Sequence, residues 1–156
     1  MLKKHSKFFE SLLLLADWFT LSLAWVSSYY LRFYSGIIPV YKGIPSFKIY
    51  LTLLVFMIPL WGLVFKVFGL YRPRRVSTRF YEILDIGKAS TFATLILISL
   101  TFLYRQYEFS RLTFFYFWLI NIVLLSLTRI LFREFLRFLR QKGYNQRNSL
   151  IIGTDK

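Results

Sequence analysis

Seven carboxylates, one histidine and no cysteine are the groups from which this 156-residue chain could build an acid–base pair, a nucleophile or a metal site. The carboxylates are Glu10, Asp17, Glu82, Asp85, Glu108, Glu134 and Asp155, and long apolar runs separate most of them. Acid–base catalysis needs two titratable groups that converge on one pocket. Glu82 and Asp85 share a helical face, but with Arg79 and Lys88 beside them they read as charges at a helix start. Without cysteine there is no disulfide framework, thiolate nucleophile or thiolate metal site, and one histidine cannot form an imidazole cluster. No Gly-rich phosphate loop occurs. The sequence therefore offers no catalytic, cofactor-binding or metal-ligating residue, and no activity is expected from these residues alone.

What the chain has in excess is cations. It holds 21 Lys and Arg against 7 Asp and Glu, a formal net charge of +14. In a soluble domain that balance would suggest nucleic acid, but no basic helix or stacking-aromatic module accompanies the charge. The composition is 56% hydrophobic and 21% aromatic, with a mean hydropathy of +0.50. Ordinary soluble domains are about 45–50% apolar. These values describe a membrane protein whose expected partner is the phospholipid bilayer, with no nucleic acid.

The elements that must carry these charges are four apolar stretches, each near the roughly 20 residues that cross the hydrocarbon of a bilayer. The expected spans are residues 8–33, 47–68, 83–104 and 112–132, giving an all-α, polytopic four-helix bundle. The first is too long, and lacks the small-residue cleavage site, to be a removable signal peptide. Sixteen basic residues lie at the amino end, around the second connection and in the tail, against five in the other two connections. By the positive-inside rule both termini lie in the cytoplasm. The outward loops are then "YSGIIPVYKGIPS" and "RQYEFSR", with Tyr and Trp at the span ends as an interfacial belt. Pro59 is expected to bend the second span.

Two basic segments stand out. In "FGLYRPRRVSTRFYEILDIGKAS", Gly69 can close the second helix, Pro73 forbids its continuation, and Ser77 or Thr78 can cap the next helix. Arg72, Arg74, Arg75 and Arg79 act there as a topology signal with headgroup contacts, or as a site for an anionic ligand such as a lipid phosphate. In "LTRILFREFLRFLRQKG", Arg129, Arg133, Arg137 and Arg140 fall within about 80° of one another on a helical projection, and Leu131, Phe132, Phe135, Leu136, Phe138 and Leu139 fall on the rest of the helix, roughly 180° to 340° from Arg129. The fourth helix should thus run past the bilayer as an amphipathic extension to about residue 142, its basic face solvated or on lipid. Arg133, Arg137 and Arg140 join the candidate lipid-phosphate contacts.

Within the spans Asp17 is the outlier. A carboxylate roughly ten residues into a membrane helix costs on the order of 3 kcal/mol if it faces lipid, so it should turn inward to a cation. By depth the candidates are Arg129, Lys88 and Lys66, and Arg129 is the pairing carried forward for Asp17. Asn121, Ser90, Thr91, Thr94 and Ser99 suit hydrogen bonding between helices.

The order of these features resembles the amino-terminal half of the large bacterial polyprenyl-phosphate sugar-phosphate transferases. These phosphoglycosyl transferases start exopolysaccharide, capsule and O-antigen assembly on undecaprenyl phosphate. The matching pieces are "LADW" and "YYLRF" in helix one, "FGLYRPRRVSTRFYEILDIGKAS" after helix two, "FSR" opening helix four, and "LRQKGYNQRNSLIIGT" near the end. Together they cover essentially the whole chain. The resemblance implies a four-helix membrane domain over residues 1–143. Residues 144–156 would be a linker and the first strand, "SLIIGT", of a truncated Rossmann-like domain. It implies an anchoring and assembly role in the bacterial cytoplasmic membrane, with contact to undecaprenyl phosphate and self-association as a homodimer. Mg2+ is expected only in a catalytic domain that these residues do not include, so the chain itself needs no cofactor and reads as a fragment.

Two other readings remain open. Membrane-bound nucleotide-sugar dehydratases share the four helices, the Rossmann-like domain and a "LYR"-type motif, but tend toward Trp-Arg where this chain has Arg74-Arg75. A free-standing four-helix protein that binds lipid or transports a solute is the third.

Overall fold

The computed structural model describes residues 2–40, 43–71, 79–103 and 109–141. They form four helices: α1 (Leu2–Phe33), α2 (Phe47–Val67), α3 (Arg79–Leu103) and α4 (Arg111–Gln141). No strand occurs among the described residues. Each helix holds a window long and apolar enough to cross a membrane: Glu10–Phe33, Phe47–Val67, Phe80–Leu103 and Arg111–Phe135. The expected spans 8–33, 47–68, 83–104 and 112–132 fall on these four helices. Differences at the ends have a simple cause: hydropathy marks where the apolar run begins, whereas helical hydrogen bonding continues through the polar turns beside it. So α1 starts at Leu2 and α3 at Arg79. Residues 142–156, including the expected strand at "SLIIGT", lie outside the described residues, as do Arg72, Arg74, Arg75, Ser77 and Thr78.

The helices run alternately up and down and pack as a ring, with α1 against α2 and α4, and α3 against α2 and α4. Small residues permit close approach: Ala24 and Ser28 on α1, and Ala89, Ser90 and Ala93 on α3, are fully buried. On α4 the buried positions Phe114, Phe117, Asn121, Leu125 and Arg129 recur at the helical period and form one seam.

The surface is inverted relative to a soluble protein. No more than a third of any span's apolar window is buried within the bundle, and Phe19, Val67, Phe102 and Leu103 are all more than 70% exposed. A hydrocarbon solvent accepts such a surface at no cost, whereas water would not. At 31 residues, α4 is about 46 Å long and overshoots a hydrocarbon layer of about 30 Å. Its last turns keep two characters, with Leu131, Phe135 and Phe138 exposed on one side and Arg133 and Arg137 meeting carboxylates on the other. Pro59 lies within α2 on its exposed face.

One end of the bundle, where α1 finishes, is held by aromatic rings. Trp25 stacks on Tyr50 with centroids 5.5 Å apart and meets the Phe117 ring edge-on at 5.3 Å. Its indole Nε1–H donates to the Tyr50 carbonyl at 2.9 Å. The Tyr29 hydroxyl donates to the Pro45 carbonyl at 2.8 Å, and Arg32 Nη1 donates to the Ile38 carbonyl at 2.8 Å. These bonds tie the first connection back onto the helices that it joins.

Candidate functional site: the buried ion pair and the arginines around it

The opposite end of the bundle holds the ion pairs Asp17–Arg129, Glu82–Arg133 and Glu134–Arg137. Asp17 sits on the inward face of α1, and Arg129 on the buried seam of α4. Arg129 Nη2 donates to Asp17 Oδ2 at 2.7 Å, and each side chain is only 4% exposed. The two residues are 112 positions apart, so the contact exists only because α1 and α4 pack antiparallel. One turn along, the Thr20 and Thr128 hydroxyls meet at 3.0 Å. The α1–α4 contact is thus stitched by one charged and one neutral pair.

Gly69 brings a third group to this place. Its φ is +68°, a conformation that an L side chain resists and glycine adopts freely. The Leu70 N–H reaches the Phe65 carbonyl at 2.9 Å and the Gly69 N–H reaches the Lys66 carbonyl at 3.1 Å, which is the Schellman closure of a helix. The chain is thereby turned so that Leu70 packs against the core and Tyr71 lies over the guanidinium of Arg129, 5.5 Å from ring centre to Cζ. The Tyr71 hydroxyl lies near the Asp17 carboxylate, whose Oδ1 has no hydrogen-bond partner among the described residues. Burial, and the neighbouring Asp17 carboxylate, push the Tyr71 phenol above its ordinary range, so it stays a protonated donor. Sequence reading singled out the cap but not Tyr71. The available signal was position, since an aromatic ring two residues after a glycine cap is delivered back toward the bundle.

The other candidate cations divide. Lys66 and Lys88 are exposed and do not enter the buried pair. Arg133 Nη1 on α4 lies 3.6 Å from Glu82 Oε2 on α3, with both side chains partly exposed. Arg137 Nη1 lies 3.1 Å from Glu134 Oε2 on its own helix. Of the proposed lipid-phosphate contacts, these two arginines have described side chains. Arg72, Arg74 and Arg75 lie outside the described residues, and the side chains of Arg79 and Arg140 are not described either.

Between α3 and α4 a small niche is lined by Glu82, Ile83, Ser126, Arg129, Ile130, Arg133 and Glu134. Two polar atoms there, Arg129 Nε and Ser126 Oγ, are buried without a hydrogen-bond partner among the described residues. Deeper in the bundle, polar side chains tie α4 to α3. Trp118 Nε1–H donates to Thr91 Oγ1 at 3.0 Å, and Asn121 Nδ2 approaches Ser90 Oγ at 3.5 Å. These pairs join helices and present no converging acid and base. Among the described residues no group of three His, Cys, Asp or Glu side chains is placed to hold a metal ion.

A family model described as a CoA-binding domain matches residues 66–156. The match begins in the last turn of α2 and takes in the Gly69 cap, Tyr71, α3 and α4. This domain is found in polysaccharide biosynthesis proteins. No curated protein and no solved structure matches the chain.

Proposed function

The chain belongs to this CoA-binding domain family of polysaccharide biosynthesis, and from that premise we propose that it is the membrane-anchoring and assembly domain of a sugar-phosphate transferase. Such a transferase would start exopolysaccharide or O-antigen synthesis on undecaprenyl phosphate. The observation that carries the reading is the position of the match. It spans two membrane helices, the "FGLYRPRR" stretch that follows α2, and the segment "NSLIIGT" that would open a soluble domain. A polysaccharide-synthesis domain embedded in four apolar helices suits an enzyme whose acceptor is a lipid.

In this reading both termini face the cytoplasm of a bacterial inner membrane, because the basic residues cluster at the Arg129 end. The domain then supplies anchorage and self-association. Arg72, Arg74, Arg75, Arg79, Arg133, Arg137 and Arg140, close to this end by sequence, are the candidate headgroup contacts, a residue type suited to the phosphate of a polyprenyl carrier. Phosphoryl transfer itself needs charge neutralisation at the phosphates and a positioned acceptor, and among the described residues no group of three His, Cys, Asp or Glu side chains is placed to hold a metal ion. Mg2+ belongs in this reading to a separate catalytic domain.

The test is the genomic reading frame downstream of Lys156. A sugar-transferase domain there is the expected result. A dehydrogenase-like domain would instead favour the membrane half of a nucleotide-sugar dehydratase, and a stop codon with no adjacent remnant would favour a free-standing lipid-binding protein.

A further inference from the structure

We propose that the niche between α3 and α4, floored by Arg129 and Ser126 and rimmed by Arg133, receives the phosphate of a phosphomonoester lipid, and that Glu82 is the carboxylate it displaces. The floor carries two unused hydrogen-bonding groups: Arg129 Nε–H and the Ser126 hydroxyl are buried and unpartnered among the described residues, and both residues line the niche. An unpaired buried donor costs about 1–3 kcal/mol, so an oxygen that accepts from both is favoured there. The free volume of about 10 Å³ is that of one water or one phosphate oxygen. A phosphate would therefore insert a single oxygen and leave the rest at the rim. Counted from Arg111, Arg133 lies just beyond the roughly 20 residues that span hydrocarbon, which is the depth of lipid phosphates. Ile83 and Ile130 form the apolar walls, as an attached acyl or prenyl chain requires.

The charges decide how the ligand enters. Arg129 is neutralised by Asp17 at 2.7 Å, Arg133 faces Glu82 at 3.6 Å, and Arg137 faces Glu134 at 3.1 Å. Each of these three arginines already faces a carboxylate among the described residues, so an anion reaches Arg133 by exchange. The Arg133–Glu82 pair is the one to exchange. It is long, joins two helices and is partly exposed, the class of ion pair that contributes least. A phosphomonoester offers Arg133 a bidentate, more highly charged partner. Glu82 thus competes with the lipid for Arg133.

The inference deepens the anchoring role proposed above, and rests on it only for placing this end of the bundle in the cytoplasmic leaflet. The downstream reading frame tests that role; lipid titration of the chain tests this one, so the two fail separately. Melting temperature in detergent is followed while phosphatidic acid is titrated into the micelles, with phosphatidylglycerol, phosphatidylcholine and inorganic phosphate as comparison arms. Phosphatidic acid should stabilise the chain by binding its folded state, and Glu82→Gln should lower the half-saturating mole fraction about fivefold, as the loss of a weak competing ion pair implies. Glu10→Gln, which changes net charge identically at the same end, should leave it unchanged. Adding Arg133→Gln or Ser126→Ala to Glu82→Gln should remove the gain. An unchanged or raised half-saturation in Glu82→Gln overturns the proposal, as does an equal gain in Glu10→Gln. Stabilisation by charge-matched phosphatidylglycerol or by inorganic phosphate equal to that by phosphatidic acid overturns it too, since the niche would then be sensing charge alone or a free anion.

Discussion

Tyr71 lies over Arg129 with the guanidinium carbon 5.5 Å from its ring centre, so a residue just outside α2 covers a cation at the buried seam of α4. The ring covers the guanidinium of the Asp17–Arg129 pair, and its hydroxyl lies near the same carboxylate. A ring over a partly desolvated guanidinium contributes about 1–2 kcal/mol. Tyr71→Phe should keep most of that and lose only the hydroxyl contact, while Tyr71→Ala should lose both. Thermal unfolding in detergent is the measurement. Equal melting temperatures for the two variants would show that the ring contributes nothing.

The ion pair itself predicts an asymmetry. Asp17→Leu leaves Arg129 buried against an apolar neighbour and should lower stability by about 1 kcal/mol, the scale of measured polar couplings inside membranes. Replacing Arg129 by Met in the same chain should recover part of the loss, because a paired apolar replacement leaves no uncompensated charge. If Asp17→Leu raises the melting temperature, the pair is a net cost to the fold.

Orientation is tested by labelling. The chain has no cysteine, so single cysteines at Lys42 and Arg75 can be compared on intact cells with an impermeant thiol reagent. The residue-42 site should react and the residue-75 site should not. Reaction at residue 75 alone would invert the proposed topology and place the Arg129 end outside.

Activity should be absent from this chain by itself. Purified protein mixed with undecaprenyl phosphate, Mg2+ and a panel of nucleotide sugars should release no nucleoside monophosphate. Robust turnover would falsify the anchoring role.

The amino-acid sequence alone determined the number of helices, their apolar character and the cap at Gly69. Each of these is a local property: a run of apolar residues of bilayer length is helical in lipid because no other backbone partner is available, and a glycine at φ > 0 ends a helix by its own conformational freedom. It also determined that Asp17 needed a partner, since a lone carboxylate in hydrocarbon is too costly. Depth alone left three candidate cations, Arg129, Lys88 and Lys66, of which the reading carried Arg129 forward. The packing of α1 against α4 chose Arg129, and the exposed positions of the two lysines left them out of the buried pair. Likewise the helical projection grouped Arg129, Arg133 and Arg137 on one face, yet tertiary contacts gave them different partners: Asp17 on α1, Glu82 on α3 and Glu134 on α4 itself. Tyr71 was visible in the sequence only within the "LYR" motif after the Gly69 cap, and acquired its partner when the Gly69 turn folded it onto a helix from the far half of the chain. Pairings over more than a hundred residues depend on which helix faces meet, and that choice is made by side-chain packing across the bundle, which no local pattern encodes.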